Sequence, residues 1–483
     1  MRRTVAAVAC AALLHGCGGP AEEGTRISDA DRAYGEQQHT VLLAEFGGAY
    51  AGDEARYLAA IGERMAAAAG LEGQCRFTLV NSDVVNAFAV PGCYIYLTRG
   101  LFATVTSEAE LASVLGHEVG HIVGQHSQRQ QRRSLWRRLG VVAVSLTGSE
   151  RLTRLAGQAA QLFTLRYSRS QEHQADDLGV RYLQRAGYDV FAAADMLRAL
   201  RRHELFMAAT NGRDAARSIP EWASSHPLAE QRVARMTEAA RESGLADDEQ
   251  PEREEPYLAE VDGLIYGDDP EQGFVLGRRF AHPVMRIAFE APPGFSLTNS
   301  PRAIRLNGPN GIAGEFGGGR LPAGGLDAYA QALLAQTIGD TPAELESADP
   351  AMINGLPAIF LRIRVAVEGG TVPLSLAVYD MGAGEAYHFI VASPPADGGA
   401  AAVLALFRSF RRLSAEEAAA LRPRVIRTVA VNPGDTADTL ARRMADRAPR
   451  ALFDLINGRS GDTPLRPGQR VKLVTYGEAG PAR

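Results

Sequence analysis

Apolar and polar positions change their rhythm along this chain, and the changes divide it. Over residues 107–123, Leu111, Val114, Leu115, Val119 and Ile122 fall at helical spacing behind Ser107 and Glu110, a pair that reads as a capping box. Two shorter runs upstream, Arg76 to Val80 and Tyr94 to Thr98, are rich in β-branched and aromatic residues and predict strands. Pro91-Gly92 marks a turn between Ala87–Val90 and the second run. A further helical face carries Glu172, Asp176, Leu178, Val180, Tyr182 and Leu183, and another helix is expected from Leu228 to Ser243.

After that helix the pattern stops. Residues 247–256 are acidic and contain two prolines, which predicts a linker, and 257–283 read as a connecting segment without an assigned role. From 284 to 415 the rhythm is that of strands (Met285–Glu290, Ala358–Val367, Leu374–Tyr379, Ala386–Val391) with helices at Leu326–Thr337 and Ala400–Phe410. Helices on an antiparallel sheet are the expected layer arrangement. Gly308 to Gly325 reads as a turn-rich loop, since no Lys-Ser/Thr signature accompanies its glycines. The last 60 residues predict a small βααβ module over 424–476. At 483 residues the chain exceeds one ordinary core, so an α+β multidomain protein is expected.

The helix over 107–123 carries His117-Glu118-Val119-Gly120-His121. Residues four apart on a helix face the same side, so both imidazoles can bind one Zn²⁺ while Glu118 projects beside them as a general base for water. His126, five residues past His121, would lie about 140° away on a continued helix, which suggests a solvated or supporting histidine and not a ligand. A third protein ligand is needed, and Glu172 is the candidate, with Asp176 one turn on to orient a ligating histidine.

These stretches resemble the zinc metallopeptidases that include the CAAX prenyl protease and HtpX, especially their periplasmic BepA-like branch. The likeness rests on Asn86-Ala87-Phe88-Ala89-Val90-Pro91-Gly92, on His117 to His121, on Glu172 with Ala175-Asp176, and on Ser225-His226-Pro227 followed by Arg232. It implies a mainly helical zincin-type metalloprotease domain with a short sheet over 28–245, one Zn²⁺ per chain, Glu172 as third ligand and Asp176 behind it. It also implies that Asn86, Ala87, Phe88 and Ala89 hold substrate backbone on an edge strand. His226 would be a resting ligand or a transition-state donor, supported by Arg232. Cys93 and Gln174 depart from the family, which often has glycine and an acidic residue there. Residues 284–415 loosely resemble a Mog1/PsbP-like sandwich by element order. Residues 424–476 resemble a LysM repeat, through Pro433-Gly434-Asp435-Thr436, Asn457 and Pro467-Gly468-Gln469. The LysM likeness implies binding to peptidoglycan; the alternative is a module that packs on its neighbour and binds no glycan.

The N-terminus sets the compartment. Met1-Arg2-Arg3, an apolar run from Val5 to Leu14 and Leu14-His15-Gly16-Cys17 form a secretory signal over 1–17, too short to span a bilayer. It resembles a lipoprotein signal with lipid on Cys17, and Gly18 resembles outer-membrane sorting, so a periplasmic, lipid-anchored protein is expected. In that oxidising space Cys75 and Cys93 are either a disulfide or two buried thiols. The net charge of −5 gives no reason to expect nucleic acid. The basic run Arg129 to Arg138 reads as a solvated helix face. The expected activity is endoproteolysis of misfolded or misassembled envelope proteins. The alternative is a non-proteolytic assembly factor or wall-binding lipoprotein; Glu118 argues against it, because a scaffold has no need of a general base.

Overall fold

The computed structural model describes residues 26–127, 167–210, 226 and 230–477, apart from 248, 301–302, 368–369, 395–398, 460 and 462. Cys17, the signal segment and the arginines from 129 to 138 lie outside these residues.

The chain opens with two helices, α1 (Asp29–Glu45) and α2 (Asp53–Ala68), and a small sheet of β1 (Arg76–Val80), β2 (Ala87–Val90) and β3 (Tyr94–Thr98). The strand order is β1-β3-β2, with β1 parallel and β2 antiparallel to β3, so β2 is an edge. Cys75 and Cys93 form a disulfide at the end of the β1/β3 pair. Helices α3 (Arg99–Thr104), α4 (Glu108–Val123), α5 (Arg169–Ala186), α6 (Ala192–Thr210) and α7 (Glu230–Glu242) complete this body.

Helix α4 is its axis. Every residue from Glu108 to His121 is buried, so the apolar stripe expected from the sequence extends around the whole circumference. Its N-terminus departs from the expected capping box. Ser107 Oγ accepts from Glu110 N at 3.1 Å, but the Glu110 carboxylate reaches one residue further back, to Thr106 N and Oγ1. Its C-terminus brings His126 back to His121 as a supporting histidine, one of the two readings given for it. The helix ends at Val123, and Gln125 has a left-handed φ of 51°, so the chain folds back and the helical angle no longer applies.

The expected linker is not a linker. Residues 254–261 form α8 (Glu254–Val261), whose Tyr257, Leu258 and Val261 join the core around α4. The Tyr257 hydroxyl lies 2.7 Å from the carbonyls of both Phe102 and Val105. Ahead of it, Glu252 O accepts from Ala109 N at 3.0 Å. The acidic composition records only the exposed side of a docked segment. A two-residue strand, β4 (Ile265–Tyr266), follows. Buried Arg99 holds it, donating to Ile265 O, to Gly267 O at 2.7 Å and to Asn81 Oδ1 at 3.0 Å.

The sheet-rich region begins within the expected connecting segment, at β5 (Phe274–Leu276) and β6 (Arg279–His282), which pair with β7 (Ile287–Glu290). Then come β8 (Ser296–Asn299), β9 (Ile304–Asn307), β10 (Ala313–Arg320), α9 (Gly325–Ile338), β11 (Ala343–Ile353), β12 (Leu356–Val367), β13 (Gly370–Gly382), β14 (Glu385–Ala392), α10 (Gly399–Ser409) and β15 (Arg411–Arg412). Strands β8 to β14 form a seven-stranded antiparallel sheet in the order β11-β12-β13-β14-β10-β9-β8. Alternate residues of β12 to β14 face α9 (Ile359, Leu361, Leu376, Val378) or the layer containing α10 (Ala358, Ala377, Tyr379, Phe389). Strand β10 corrects the turn-rich loop expected there. Glycines 314, 317, 318 and 319 carry no β signal, yet β14 pairs along the whole strand.

The C-terminal part contains α11 (Ala415–Ala419), β16 (Arg424–Ala430), α12 (Ala437–Ala441), α13 (Pro449–Ile456) and β17 (Arg470–Tyr476). Strand β16 pairs with β17 on one side and β4 on the other. Ile426, Leu440, Phe453 and Leu473 belong to the same buried cluster as Leu58, Leu111 and Tyr257, so this βααβ unit shares the core of the N-terminal helical body. No helix among the described residues is long and apolar enough to cross a membrane.

Candidate metal centre

The site is built where α4 crosses α5. The two helices can approach closely because Gly116, Gly120 and Gly179 line the crossing. A Cβ on Gly120 would stand 2.9 Å from Ala175 O, and one on Gly179 would stand 3.4 Å from His117 N. Ser168 starts α5 with a reciprocal capping box to Gln171, which places Glu172 in its first turn, facing the α4 histidines.

His117, His121, Glu172 and His226, all buried, each offer one ligand atom, and these atoms lie within 4.8 Å of one another. His117 Nε2 is 3.0 Å from His121 Nε2 and 3.3 Å from His226 Nδ1. Glu172 Oε1 is 2.9 Å from His226 Nδ1 and 3.4 Å from His121 Nε2, and Glu172 Oε2 is 3.7 Å from His117 Nε2. Tetrahedral zinc with bonds of about 2.0–2.1 Å sets neighbouring donors roughly 3.3 Å apart, so the spacing and the donor set fit that ion. Glu118 stands beside the cluster with both carboxylate oxygens buried and without a hydrogen-bond partner, Oε1 lying 3.6 Å from His226 Nε2. Burial pushes its carboxyl above the ordinary range, opposed by His226 and His117. Burial also keeps His121 neutral, the form a metal ligand needs. Burial raises Glu172 too, but His226, His121 and His117 outweigh it and hold the group ionised.

Each helix histidine is oriented from behind. His117 Nδ1 meets Asp176 Oδ1 at 3.0 Å, and Arg232 grips Asp176 with two hydrogen bonds of 2.7 and 2.8 Å. Arg232 also reaches Glu172 Oε2 at 2.9 Å and lies 3.5 Å from His117 Nε2. On the other side, His126 Nδ1 lies 2.9 Å from His121 Nδ1, and His126 Nε2 lies 3.1 Å from Gln174 Oε1. The proton positions follow outward from the cluster. With His121 Nε2 turned to the donors, its ring proton sits on Nδ1 and goes to His126 Nδ1; the proton on His126 Nε2 then goes to Gln174 Oε1. Tyr167 stacks on His121 at a centroid distance of 3.9 Å, its hydroxyl 3.0 Å from Ser127 Oγ.

Of the residues singled out from sequence, His117, Glu118, His121, Glu172, Asp176, His226 and Arg232 are brought together here. Ala87 to Ala89 lie on edge strand β2, next to α4, and Asn86 immediately precedes it. Ala87 and Ala89 are buried, while Phe88 packs on Tyr96 at 4.8 Å and on Phe46 at 4.9 Å, on the α1 side. His126 takes the supporting role that was one of its two readings, whereas the roles of Tyr167 and the crossing glycines were missed. Only the adjacency of Tyr167 to the Ser168 cap offered a signal.

The donor set is that of a buried metal centre beside a carboxylate able to act as a base. Residues 53–240 match peptidase family M48, and this part of the chain is similar to BepA-like metallopeptidases. A protein named beta-barrel assembly-enhancing protease from Yersinia pestis is 31% identical over 37% of this chain and 37% of its own length. Its namesake in Escherichia coli K12 is 31% identical, again over 37% of each chain. The mitochondrial metalloendopeptidase OMA1 of Arabidopsis thaliana is 30% identical over 36% of this chain and 33% of its own. The chain thus spans little more than a third of the length of these relatives. A solution structure of cyanobacterial PsbP from Synechocystis covers 30% of this chain at 15% identity and a TM-score of 0.23.

Proposed function

We propose that this chain is a zinc-dependent endopeptidase of the bacterial cell envelope that cleaves misfolded or misassembled envelope proteins. The observation that carries the reading is the convergence of four buried donors with a buried carboxylate, Glu118, that has no hydrogen-bond partner among the described residues. His117, His121 and Glu172 would hold one zinc, which supplies an acidified water and a polarised carbonyl when bound. Glu118 takes the proton of the attacking water and passes it to the leaving amine; its raised pKa suits both directions of transfer. Strand β2 pairs with substrate backbone along its free edge, and Ala87 and Ala89 keep the face toward α4 low.

His226 is the resting fourth donor in this reading, because its Nδ1 lies within the cluster and its Nε2 faces Glu118. The envelope location follows from the signal and from the name of the relatives. The docking of the βααβ unit supports a bracing role for it, whereas peptidoglycan binding and a lipid on Cys17 rest on sequence resemblance alone.

The test is to purify the chain without its signal, then measure bound zinc and casein cleavage with and without Glu118→Gln. The amide cannot take the proton but leaves the ligands intact, so zinc should remain and cleavage should vanish. Full cleavage by the zinc-loaded variant would remove this mechanism. In the same assay His226→Ala should raise cleavage by freeing the fourth position. A fall of about 10²- to 10³-fold in kcat would instead make His226 a donor to the oxyanion.

A further inference from the structure

The edge strand β2 is pinned at both ends, at one of them by a covalent bond. No described strand pairs with its outer side. At its start, Asn86 N donates to Thr98 Oγ1 and Thr98 N donates to Asn86 O, each at 3.0 Å. At its end the chain turns through Pro91, Gly92 and Cys93 into β3, and the Cys75–Cys93 disulfide ties that turn to the residue before β1. Arg76 N donates to Cys93 O at 2.8 Å, so the disulfide extends the β1/β3 ladder by one step.

The backbone of the turn shows what the tie holds. Gly92 has a φ of 94° and Cys93 a φ of 61°. Glycine takes this left-handed region freely, whereas a residue with a Cβ is crowded there against its own carbonyl. Cys93 is fully buried, and its Sγ is bonded to Cys75. The cross-link therefore keeps a conformation that cysteine by itself disfavours.

The turn also sits between α1 and the end of α4. A Cβ on Gly92 would stand 2.5 Å from Asp31 O, and one on Gly35 would stand 2.5 Å from Pro91 O, so α1 lies directly against it. On the other side Pro91 and Gly92 share a small hollow, about 80 Å³, with His121, Ile122 and His126. The place of the turn thus sets how the Val90 end of β2 lies beside the metal centre.

We propose that the Cys75–Cys93 disulfide is a positioning element for substrate capture: it holds the Pro91–Cys93 turn in its left-handed form and so keeps the free edge of β2 in line beside His121. The inference rests on the reading that β2 pairs with substrate backbone. A strand added to an edge draws its affinity from main-chain bonds, which need the N–H and C=O groups of that edge held in register. Once the sulfurs are reduced, Cys93 returns toward negative φ, the turn opens, and the Val90 end of β2 frays from β3. His117, His121 and Glu172 belong to α4 and α5, so the donors stay together. Substrate capture is then firm in an oxidising space and loose wherever thiols are kept reduced.

The chain purified without residues 1–17 keeps Cys75 and Cys93 as its only cysteines, so reduction acts on this bond alone. A phosphine is used, because a dithiol would compete for zinc. The two sulfurs take up two electrons and two protons, and the phosphine becomes its oxide with oxygen from water. With a quenched fluorescent peptide from casein, reduction should raise KM by roughly threefold to tenfold, as loss of about one main-chain bond would. Bound zinc and kcat should not change; an unchanged KM, or zinc lost in step with activity, overturns the proposal. Two paired substitutions isolate the turn. Cys75→Ser with Cys93→Ser keeps a Cβ at the left-handed position and should raise KM as reduction does. Cys75→Ser with Cys93→Gly removes bond and Cβ together and should keep KM near that of the parent; equal increases in both pairs overturn the proposal. Reduction of the folded chain still decides the matter should either pair fail to fold. Hydrogen exchange reads the edge without any cleavage. Amides of Ala87–Val90 that pair with β3 should exchange faster in the reduced chain and the serine pair but not in the glycine pair, and uniform protection overturns the proposal. A zinc-loaded parent that cuts no peptide would instead remove the protease reading, and the exchange pattern would still decide whether the disulfide holds the edge.

Discussion

At the residue scale, the centre depends on groups that never touch the substrate. His126 and Gln174 fix which nitrogen of His121 is free, just as Asp176 and Arg232 do for His117. The two supports differ in kind: one is an ion pair, the other a neutral relay ending in an amide. His126→Ala should therefore lower zinc affinity by roughly 10- to 100-fold, as loss of a partner behind a ligating histidine does. Gln174→Leu should act in the same direction, and Gln174→Glu, which restores an acceptor, should not. Competition with a chelator measures all three, and unchanged affinity in His126→Ala would remove the relay. The sequence showed His117, Glu118 and His121 because their chemistry depends on spacing along one helix. For His126 it left a solvated or a supporting role open, because the angle assumed a continued helix; the left-handed Gln125 ends that helix, and His126 supports His121.

At the scale of elements, the crossing of α4 and α5 governs whether Glu172 reaches the histidines at all. Gly120→Ala would set a methyl 2.9 Å from Ala175 O and 3.1 Å from its Cα, and backbone cannot swing aside. Helix α5 would have to retreat, carrying Glu172 and Asp176 with it. We expect a loss of about 1–3 kcal/mol in urea unfolding, as overpacking typically costs, together with weaker zinc retention; Gly179→Ala, with its nearest contact at 3.4 Å, should be milder. Elements were legible where composition or spacing marks them, as in the strands Arg76–Val80 and Tyr94–Thr98, rich in β-branched and aromatic residues, and the helix that became α9. They were illegible where neither does. Strand β10 is half glycine, and β11 is exposed along most of its length and includes Glu344, Glu346, Asp349 and Pro350, so neither shows alternation. The docked segment 254–261 was hidden because its three buried residues are few against its acidic exterior.

For the whole molecule, the decisive contact joins the last strand to the first third of the chain. Lys472 is buried, and its Nζ donates to Ala103 O at 2.9 Å, to Val105 O and to Tyr257 Oη at 3.1 Å, meeting carbonyls at the C-terminal end of α3. Burial lowers this ammonium to about 7, from an ordinary 10.5. Between those values the unfolded chain holds a proton that the folded chain has released, so stability should climb as pH rises from about 7 toward 10.5 and be flat below. Lys472→Met should flatten that slope. It should also lose about 1–3 kcal/mol, because the α3 carbonyls are left without their donor. Unfolding of both proteins at pH 7 and pH 9 checks the sign: the advantage of Lys472 must grow at the higher pH.

The same contact spans 369 residues of chain. A ribosome or a translocation pore releases such a protein from its first residue to its last, so α3 emerges long before the strand that completes its surroundings. Until β17 arrives, the core beneath α4 lacks Val471, Leu473 and Val474, and the carbonyl of Ala103 lacks the ammonium of Lys472. A chain cut short before β17 is therefore expected to fail as a protease even though every ligand is already present. Activity waits for the final strand, which keeps a half-made hydrolase from acting on its neighbours.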